Sequence, residues 1–266
     1  GTEIVLSLPS VGATENAMLA ACGAEGTTVI ANAAREPEIV DLQTFLQKMG
    51  AHVQGAGSST VVVEGGAPLH GCVHTVVADR IVAATYLAAA AGTGGDIRLE
   101  GVDYRHLSAV ATMLRQAGCR LTCGETSIRL QAPRRLQSAG PIRTAPYPGF
   151  PTDAQAVLMA SLLRSEGATV FVENIFDSRY RHVPEMVRMG ADIRLEGRVA
   201  VVCGLDRLHG AAVRATELRG GASLVLAGLQ AEGETAVTGV EHIQRGYEDL
   251  TGELAQLGAD IRQEER

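Results

Sequence analysis

Three charged segments of the sequence carry the residue types that acid–base and anion-binding chemistry require. The segment Arg143-Thr-Ala-Pro-Tyr-Pro-Gly-Phe-Pro-Thr-Asp153 uses three prolines to bring a carboxylate to the start of an apolar stretch. The segment from Glu173 to His182 places Arg179 among acidic and aromatic residues. Arg219 and Arg245 are each followed by glycine, and guanidinium groups bind carboxylate and phosphate through paired hydrogen bonds. One acid and several arginines together indicate a cleft for a small anionic ligand.

A fourth segment, Leu8–Thr14, leads into an apolar helix and contains Ser10, Val11 and Gly12. Backbone amides at a helix N-terminus, with a glycine for close approach, bind anions. Serine at this position is equally typical of a plain helix N-cap. The other segments also have simpler interpretations: Asp153 as a helix cap, and Arg245 in a surface salt bridge.

An internal repeat positions these segments. Four stretches share the same plan, with first helices predicted from Ser10, Asp79, Asp153 and Glu217. Strands such as Thr27–Ile30 and Ala168–Val172 follow, rich in β-branched residues. Each second helix ends before a glycine, and these glycines lie 68, 72 and 68 residues apart: Gly50, Gly118, Gly190 and Gly258. The plan predicts four α/β units of the order β-α-β-α-β-β.

The first helix of each unit is apolar nearly all round, which predicts burial on most of its faces. Several units are therefore expected to pack their helices into a shared core. The stretch Ala67–Val77, with Pro68 and Gly71, is predicted to be the boundary between two domains, residues 1–77 and residues 78–266.

Composition excludes several classes of protein. A net charge of −7 argues against general nucleic-acid binding, which needs a basic surface. The longest apolar runs, such as Ile81–Ala91, are shorter than the ~20 residues of a membrane span, and no signal peptide is evident near residue 1. The five cysteines have neither disulfide-framework nor zinc-site spacing, which favours reduced thiols in the cytoplasm.

The sequence resembles the enolpyruvyl transferases, and within them the UDP-N-acetylglucosamine 1-carboxyvinyltransferases. The similarity runs along nearly the whole chain, and Asn32-Ala-Ala-Arg-Glu-Pro-Glu-Ile-Val-Asp41 is its most specific part. The other matching stretches are Pro9–Asn16, Glu25–Ile30, Arg143–Pro146, Phe150–Asp153, His182–Met186, Arg188–Ala191, Ala222–Gly228 and Arg245–Tyr247.

The resemblance implies an inside-out α/β barrel with two domains of three units each, of which this chain has four. Residues 1–77 are then the last unit of the domain on the UDP-sugar side, and 78–266 are the complete second domain. The family's N-terminal part, with a catalytic cysteine loop and a Lys-Asn strand, has no counterpart in this sequence. We therefore expect the 266-residue chain alone to lack transferase activity.

The resemblance also implies roles for individual residues. Ser10, Val11 and Gly12 match the loop around the nucleotide. Asp153 matches the carboxylate that accepts the proton of the sugar 3-hydroxyl, and Ile175 matches a backbone contact to the sugar nucleotide. The implied arginine ligands are Arg179 near the site, Arg219 in the cleft and Arg245 for phosphoenolpyruvate, while Glu217 stands where many relatives have aspartate.

The implied reaction transfers the enolpyruvyl group of phosphoenolpyruvate to UDP-N-acetylglucosamine and releases phosphate. It is the first step of peptidoglycan synthesis, hence of cell-wall biogenesis, cell shape and cell division, and it needs no metal or organic cofactor. The expected ligands are these two small molecules, in the cytoplasm, without nucleic-acid binding or membrane insertion. Two alternatives remain open: a 3-phosphoshikimate 1-carboxyvinyltransferase, and a truncated, non-catalytic paralogue that binds a sugar nucleotide.

Overall fold

The computed structural model describes residues 1–264 and divides them into two compact units. The first unit comprises Gly1–Ala78 together with Pro146–Pro148. The second comprises Asp79–Ala145 and the chain from Gly149 onward.

The first unit contains one α/β repeat. Its elements in chain order are β1 (Glu3–Val5), α1 (Val11–Cys22), β2 (Gly26–Ala31), α2 (Pro37–Lys48), β3 (His52–Gln54) and β4 (Thr60–Gly65). The strands form one sheet in the order β1-β2-β4-β3, in which only β1 and β2 are parallel. Met18, Ile30 and Ile39 are fully buried between this sheet and the two helices.

Helix α1 contradicts the prediction that every first helix is buried on most faces. Only Thr14, Met18, Ala21 and Cys22 of its twelve residues are buried, and Leu19 is 52% exposed. As far as the structure describes it, the first unit contains no other helix that is, like α1, apolar on nearly all faces. The remaining apolar faces of α1 are therefore not covered.

The second unit contains the other three repeats. The elements are α3 (Arg80–Thr93), β5 (Asp96–Glu100), α4 (Ser108–Gln116), β6 (Arg120–Cys123), β7 (Ser127–Gln131), β8 (Ile142–Arg143), α5 (Thr152–Ser161), β9 (Ala168–Val172), α6 (Val183–Arg188), β10 (Asp192–Glu196), β11 (Val199–Cys203), β12 (Ala212–Arg214), α7 (Leu218–Gly228), β13 (Ala236–Thr238) and α8 (Leu250–Gln256). Short 3₁₀ helices span Tyr104–Leu107 and Val240–His242.

The repeats share one sheet topology. The sheet order β10-β11-β9-β8 reproduces that of the first unit, and β8 runs parallel to β9 as β1 does to β2. Strands β5, β7 and β6 form the corresponding three-stranded sheet, and β12 pairs in parallel with β13. The glycines after the four second helices all have positive φ, with values of 100°, 97°, 92° and 98° for Gly50, Gly118, Gly190 and Gly258. Glycine ends each of these helices because it adopts this conformation without a Cβ clash.

Two repeats are shorter than predicted. In the described residues no strand precedes α3, because the irregular segment 66–79 occupies that place in the chain. No strand follows α8 either, up to residue 264. In the preceding repeat the corresponding strand is β10, which is held by pairing with β11. Residues 259–264 contain no strand that could serve as such a partner.

Helices α3, α5 and α7 contact one another and form the centre of the second unit. Leu87, Leu158 and Leu226, one from each helix, are almost completely buried there. Because each helix is enclosed by the other two and by the sheets, it is apolar on nearly every face, as predicted for these three repeats. The charged segments of the sequence lie before α5, between β9 and α6, in the first turn of α7 and before α8.

Candidate active site

Asp153 lies in the first turn of α5 and is not a helix cap. The residue that precedes the helix is Pro151, and it makes no side-chain cap. Asp153 instead forms an ion pair with Arg179. The Asp153 side chain is 45% exposed, whereas that of Arg179 is 19% exposed. The pair therefore has a carboxylate that solvent or a ligand can reach and a guanidinium held mainly by protein.

Aromatic and acidic neighbours hold Arg179 in place. Its guanidinium carbon lies 5.2 Å from the centre of the Phe176 ring, within the range of a cation–π contact. Phe176 is in turn held by its backbone amide, which donates to a carboxylate oxygen of Glu173 at 2.9 Å. Phe176 thus supports Arg179 through contacts on both sides, although the Phe176 ring itself is half exposed.

Glu173 is a buried carboxylate with four hydrogen-bond donors, and it lies beneath the loop that carries Ile175. The amide of Ile175 donates to Glu173 at 2.7 Å. Burial, and then the negative charge of Glu173, raise the pKa of Tyr180 to about 12. The Tyr180 hydroxyl lies 3.3 Å from the carbonyl oxygens of both Phe171 and Arg198, and its one hydrogen is shared between them.

His182 lies between the two charged regions of the second unit. It is 2% exposed, and neither ring nitrogen has a hydrogen-bond partner among the described residues. Burial, and then the charge of Arg179, lower its pKa to about 4. A Cβ placed on Gly220 would lie 3.0 Å from the His182 Cβ. His182 therefore contacts the start of α7 as a neutral imidazole at physiological pH.

Arg219 occupies the first turn of α7 with unusual hydrogen bonding. Its Nε and one terminal nitrogen are buried and have no partner among residues 1–264. The guanidinium carbon lies 5.3 Å from the centre of the Tyr247 ring. Buried donors are nearly always hydrogen-bonded in folded proteins, so two unpaired guanidinium donors point to an anionic ligand or ordered water at this place.

The two glycines after Arg219 are explained by packing inside the protein. The backbone amides of Gly220 and Arg219 donate to the Glu217 carboxylate at 2.6 Å and 3.1 Å, which caps the helix. A Cβ on Gly221 would lie 2.7 Å from Ile243 and 2.8 Å from Ala215. The close approach that the glycines indicate is thus made by protein side chains.

Arg245 lies in the segment between the 3₁₀ helix and α8, and it is exposed. Only Gly246 separates it from Tyr247, whose ring supports Arg219. The hydroxyl of Tyr247 is hydrogen-bonded to that of Thr85 at 2.8 Å, in the centre of the unit. The surface salt bridge considered for Arg245 is not among the described ion pairs.

The predicted nucleotide loop lies in the first unit, where Ser10 has the simpler of its two predicted roles. Ser10 is the N-cap of α1, and its hydroxyl accepts from the Ala13 amide at 3.3 Å. Val11 and Gly12 form the first turn, and a Cβ on Gly12 would meet no atom within 4 Å. The space beside Gly12 is therefore open, and binding of an anion by this turn stays a prediction.

The described residues contain no group of three or more His, Cys, Asp or Glu side chains placed to hold a metal ion. Within the same residues, no helix has both the length and the apolar character needed to cross a membrane.

Comparison with known proteins identifies the family. Residues 1–254 match the family described as EPSP synthase (3-phosphoshikimate 1-carboxyvinyltransferase). The chain belongs to the EPSP synthase family. Among solved structures of similar fold is the enolpyruvyl transferase NikO from Streptomyces tendae, with a TM-score of 0.86 at 28% identity over 98% of this chain and 65% of that chain. EPSP synthase from Acinetobacter baumannii has a TM-score of 0.74 at 22% identity, covering 100% of this chain and 64% of that chain. The predicted enolpyruvyl transferase fold is therefore confirmed.

Curated members of the family match at higher identity. UDP-N-acetylglucosamine 1-carboxyvinyltransferase 2 of Caldanaerobacter subterraneus subsp. tengcongensis is 52% identical over 98% of this chain and 63% of its own length. UDP-N-acetylglucosamine 1-carboxyvinyltransferase 1 of Symbiobacterium thermophilum is 52% identical over 98% of this chain and 59% of its own length. The predicted resemblance is confirmed, and this chain spans about three fifths of the length of such relatives.

Three residues of the site were not predicted from the sequence: Glu173, His182 and Tyr247. Each lies in a segment that the sequence marks by its charge or by its resemblance to the family. Their burial, which gives them their chemistry, depends on tertiary packing. The position of Glu173, directly after the apolar strand β9, is a further signal in the sequence.

Proposed function

We propose that the protein containing this chain transfers the enolpyruvyl group of phosphoenolpyruvate to the 3-hydroxyl of UDP-N-acetylglucosamine. The sugar nucleotide is proposed because relatives 52% identical over 98% of the chain carry this activity in their names. The chemistry is supported by one structural observation above all, the two buried donors of Arg219 that lack a partner among the described residues. Oxygens of anionic ligands would supply the missing acceptors.

The proposed roles follow from the geometry of the second unit. Asp153 accepts the proton of the sugar 3-hydroxyl as the hydroxyl oxygen attacks C2 of phosphoenolpyruvate, whose methylene carbon has gained a proton. Loss of phosphate and of a proton from the methyl carbon then gives the enol ether. Arg219 and Arg245 hold the carboxylate and phosphate, a positioning and electrostatic role.

The ion pair of Asp153 with Arg179 has a consequence for this reaction. The Arg179 guanidinium is bound to Oδ1 of Asp153, so this oxygen cannot accept from the sugar hydroxyl while the pair is intact. We propose that the sugar nucleotide draws Arg179 away from Asp153 when it binds, with Ile175 contributing its backbone. Binding of the first substrate would then free this oxygen for the sugar 3-hydroxyl.

Ser10, Val11 and Gly12 are proposed to bind the nucleotide diphosphate, and residues 1–77 to be the last unit of the domain on the sugar-nucleotide side. Support comes from the open, serine-capped N-terminus of α1. All five cysteines are free, which supports a reducing compartment, and we place the reaction in the cytoplasm as the first step of peptidoglycan synthesis. The proposed biological role is cell-wall biogenesis, and through it cell shape and division.

The test is phosphate release from phosphoenolpyruvate by the protein expressed from the complete reading frame that encodes this chain. We expect release with UDP-N-acetylglucosamine and none with 3-phosphoshikimate. Release with 3-phosphoshikimate alone would replace the proposed function by that of the family's namesake. Calorimetric binding of the sugar nucleotide without phosphate release would identify a non-catalytic paralogue.

A further inference from the structure

We propose that Glu173 is a positioning residue that fixes Asp153 and the backbone of Ile175 relative to one another. Glu173 lies directly after β9 and is 1% exposed. The proposal rests on the proposed function only for the identity of the substrate. The arrangement itself consists of hydrogen bonds within the second unit.

The two oxygens of Glu173 bind different parts of the site. Oε1 accepts from the Ile175 amide at 2.7 Å, from the Phe176 amide at 2.9 Å and from the Thr144 hydroxyl at 3.0 Å. Oε2 accepts from the Thr152 hydroxyl at 2.9 Å. One carboxylate therefore joins the end of β8, the start of α5 and the loop after β9.

Thr144 closes a second connection around the same loop. Its hydroxyl donates to Glu173 and accepts from the Asn174 amide at 2.8 Å. The side-chain amide of Asn174 donates to the Thr144 carbonyl at 3.0 Å. Three consecutive backbone amides, those of residues 174 to 176, are thus bound through a single threonine–glutamate pair.

This network acts on the two groups proposed to face the sugar nucleotide. Thr152 immediately precedes Asp153 in the first turn of α5, so the bond to Oε2 fixes the place from which the Asp153 side chain extends. The bonds to Oε1 fix the Ile175 backbone and Phe176, on whose ring Arg179 stacks. Hydrogen bonds to an ionised carboxylate are short and strong, and a buried carboxylate is costly unless such donors satisfy it. Glu173 therefore holds both sides of the Asp153–Arg179 pair in one geometry.

The proposal distinguishes the sugar-nucleotide side of the site from the phosphoenolpyruvate side. Arg219 is supported by Tyr247 and capped by Glu217, and none of the described hydrogen bonds of Glu173 reaches α7. A loosened Glu173 network should disturb the sugar nucleotide and the proton transfer to Asp153. It should leave the binding of phosphoenolpyruvate unchanged.

The test compares Thr144→Val with Thr169→Val. Both threonines are almost completely buried in the second unit. The Thr144 hydroxyl accepts a hydrogen bond from the Asn174 amide at 2.8 Å, and the Thr169 hydroxyl accepts one from the Ala139 amide at 3.0 Å. Thr169 lies near the other end of β9, away from Glu173 along the strand. The matched control therefore loses a similar buried hydrogen bond without touching the network.

Initial rates are measured on the protein expressed from the complete reading frame, with each substrate varied in turn. For Thr144→Val we expect kcat to fall and the KM for UDP-N-acetylglucosamine to rise, with a loss in kcat/KM on the order of 10²-fold, as for a displaced reacting group. The KM for phosphoenolpyruvate should stay within about twofold. Thr169→Val should keep all three constants. Glu173→Gln, which retains an oxygen acceptor for the two amides, should recover most of the activity that Glu173→Ala loses.

Three results would overturn the proposal. The first is an equal loss of kcat in both threonine variants with unchanged KM values. The second is a rise in the KM for phosphoenolpyruvate in Thr144→Val equal to that for UDP-N-acetylglucosamine. The third is equal activity of the Glu173→Gln and Glu173→Ala variants. If the unaltered protein shows no phosphate release, the proposed function fails separately. Amide hydrogen exchange then decides on Glu173: faster exchange at residues 174 to 176 in Thr144→Val but not in Thr169→Val supports the positioning role, and equal exchange refutes it.

Discussion

The buried imidazole of His182 makes the stability of the protein depend on pH in a predictable way. The pKa of His182 falls from 6.5 to about 4 on folding, first because burial disfavours the charged ring and then because Arg179 is nearby. As the pH falls below 6.5, the unfolded chain therefore takes up a proton at His182 before the folded protein does. The contribution of the neutral His182 to the free energy of unfolding is complete above pH 6.5 and is lost as the pH falls towards 4.

The magnitude follows from the two pKa values. At about 1.4 kcal/mol for each unit of pKa, the full effect is roughly 3 kcal/mol, of which about 2 kcal/mol is lost between pH 7 and pH 5. Other groups titrate in the same range, so the prediction concerns a difference between variants. His182→Gln removes the titrating ring and keeps a polar side chain of similar length, while His209→Gln replaces an exposed histidine of the same unit.

The assay is urea unfolding followed by far-ultraviolet circular dichroism at several values between pH 7 and pH 5. We expect the free energy of unfolding of the unaltered protein and of His209→Gln to fall together. That of His182→Gln should fall by about 2 kcal/mol less. Parallel curves for all three proteins would refute the account, as would a His182 ring whose NMR signals titrate near pH 6.5.

Three further predictions follow from the site and its packing. Asp153→Asn should lower kcat by about 10²- to 10⁴-fold while sugar-nucleotide binding remains measurable by calorimetry, since a general base contributes that much; unchanged turnover would remove Asp153 from the reaction. Arg219→Lys should raise the KM for phosphoenolpyruvate at least about tenfold, because lysine lacks the fork of donors, whereas an unchanged KM would show that the buried donors do not bind this substrate. Gly221→Ala should lower the free energy of unfolding by about 1–3 kcal/mol, measured in urea, because the new methyl group would collide with Ile243 and Ala215; a neutral effect would mean that this region repacks freely.

Much of the fold was predictable because the chain repeats itself. The spacing of Gly50, Gly118, Gly190 and Gly258 predicts four similar units, and all four glycines have the positive φ that requires glycine. The predicted strand Ala168–Val172 has the observed bounds, and α1 and α7 begin directly after the predicted residues Ser10 and Glu217. These features depend on local periodicity and on capping, which a sequence displays directly.

The degree of burial was less predictable. Helices α1 and α5 are similarly apolar, yet α5 is buried along eight of its ten residues and α1 along four of its twelve. Burial depends on which neighbours a helix finds, and α5 lies between α3 and α7. The sequence of one helix does not contain that information.

The sequence by itself determined the family, the repeated α/β units and the segments that carry charge. Only the tertiary structure decided what those charges do. It paired Asp153 with Arg179, placed the Arg219 guanidinium on the Tyr247 ring with two donors unpaired, and buried Glu173 under four donors. Hydrogen bonds and pKa values depend on groups that are distant in the chain and adjacent in the fold, and on how far water is excluded between them.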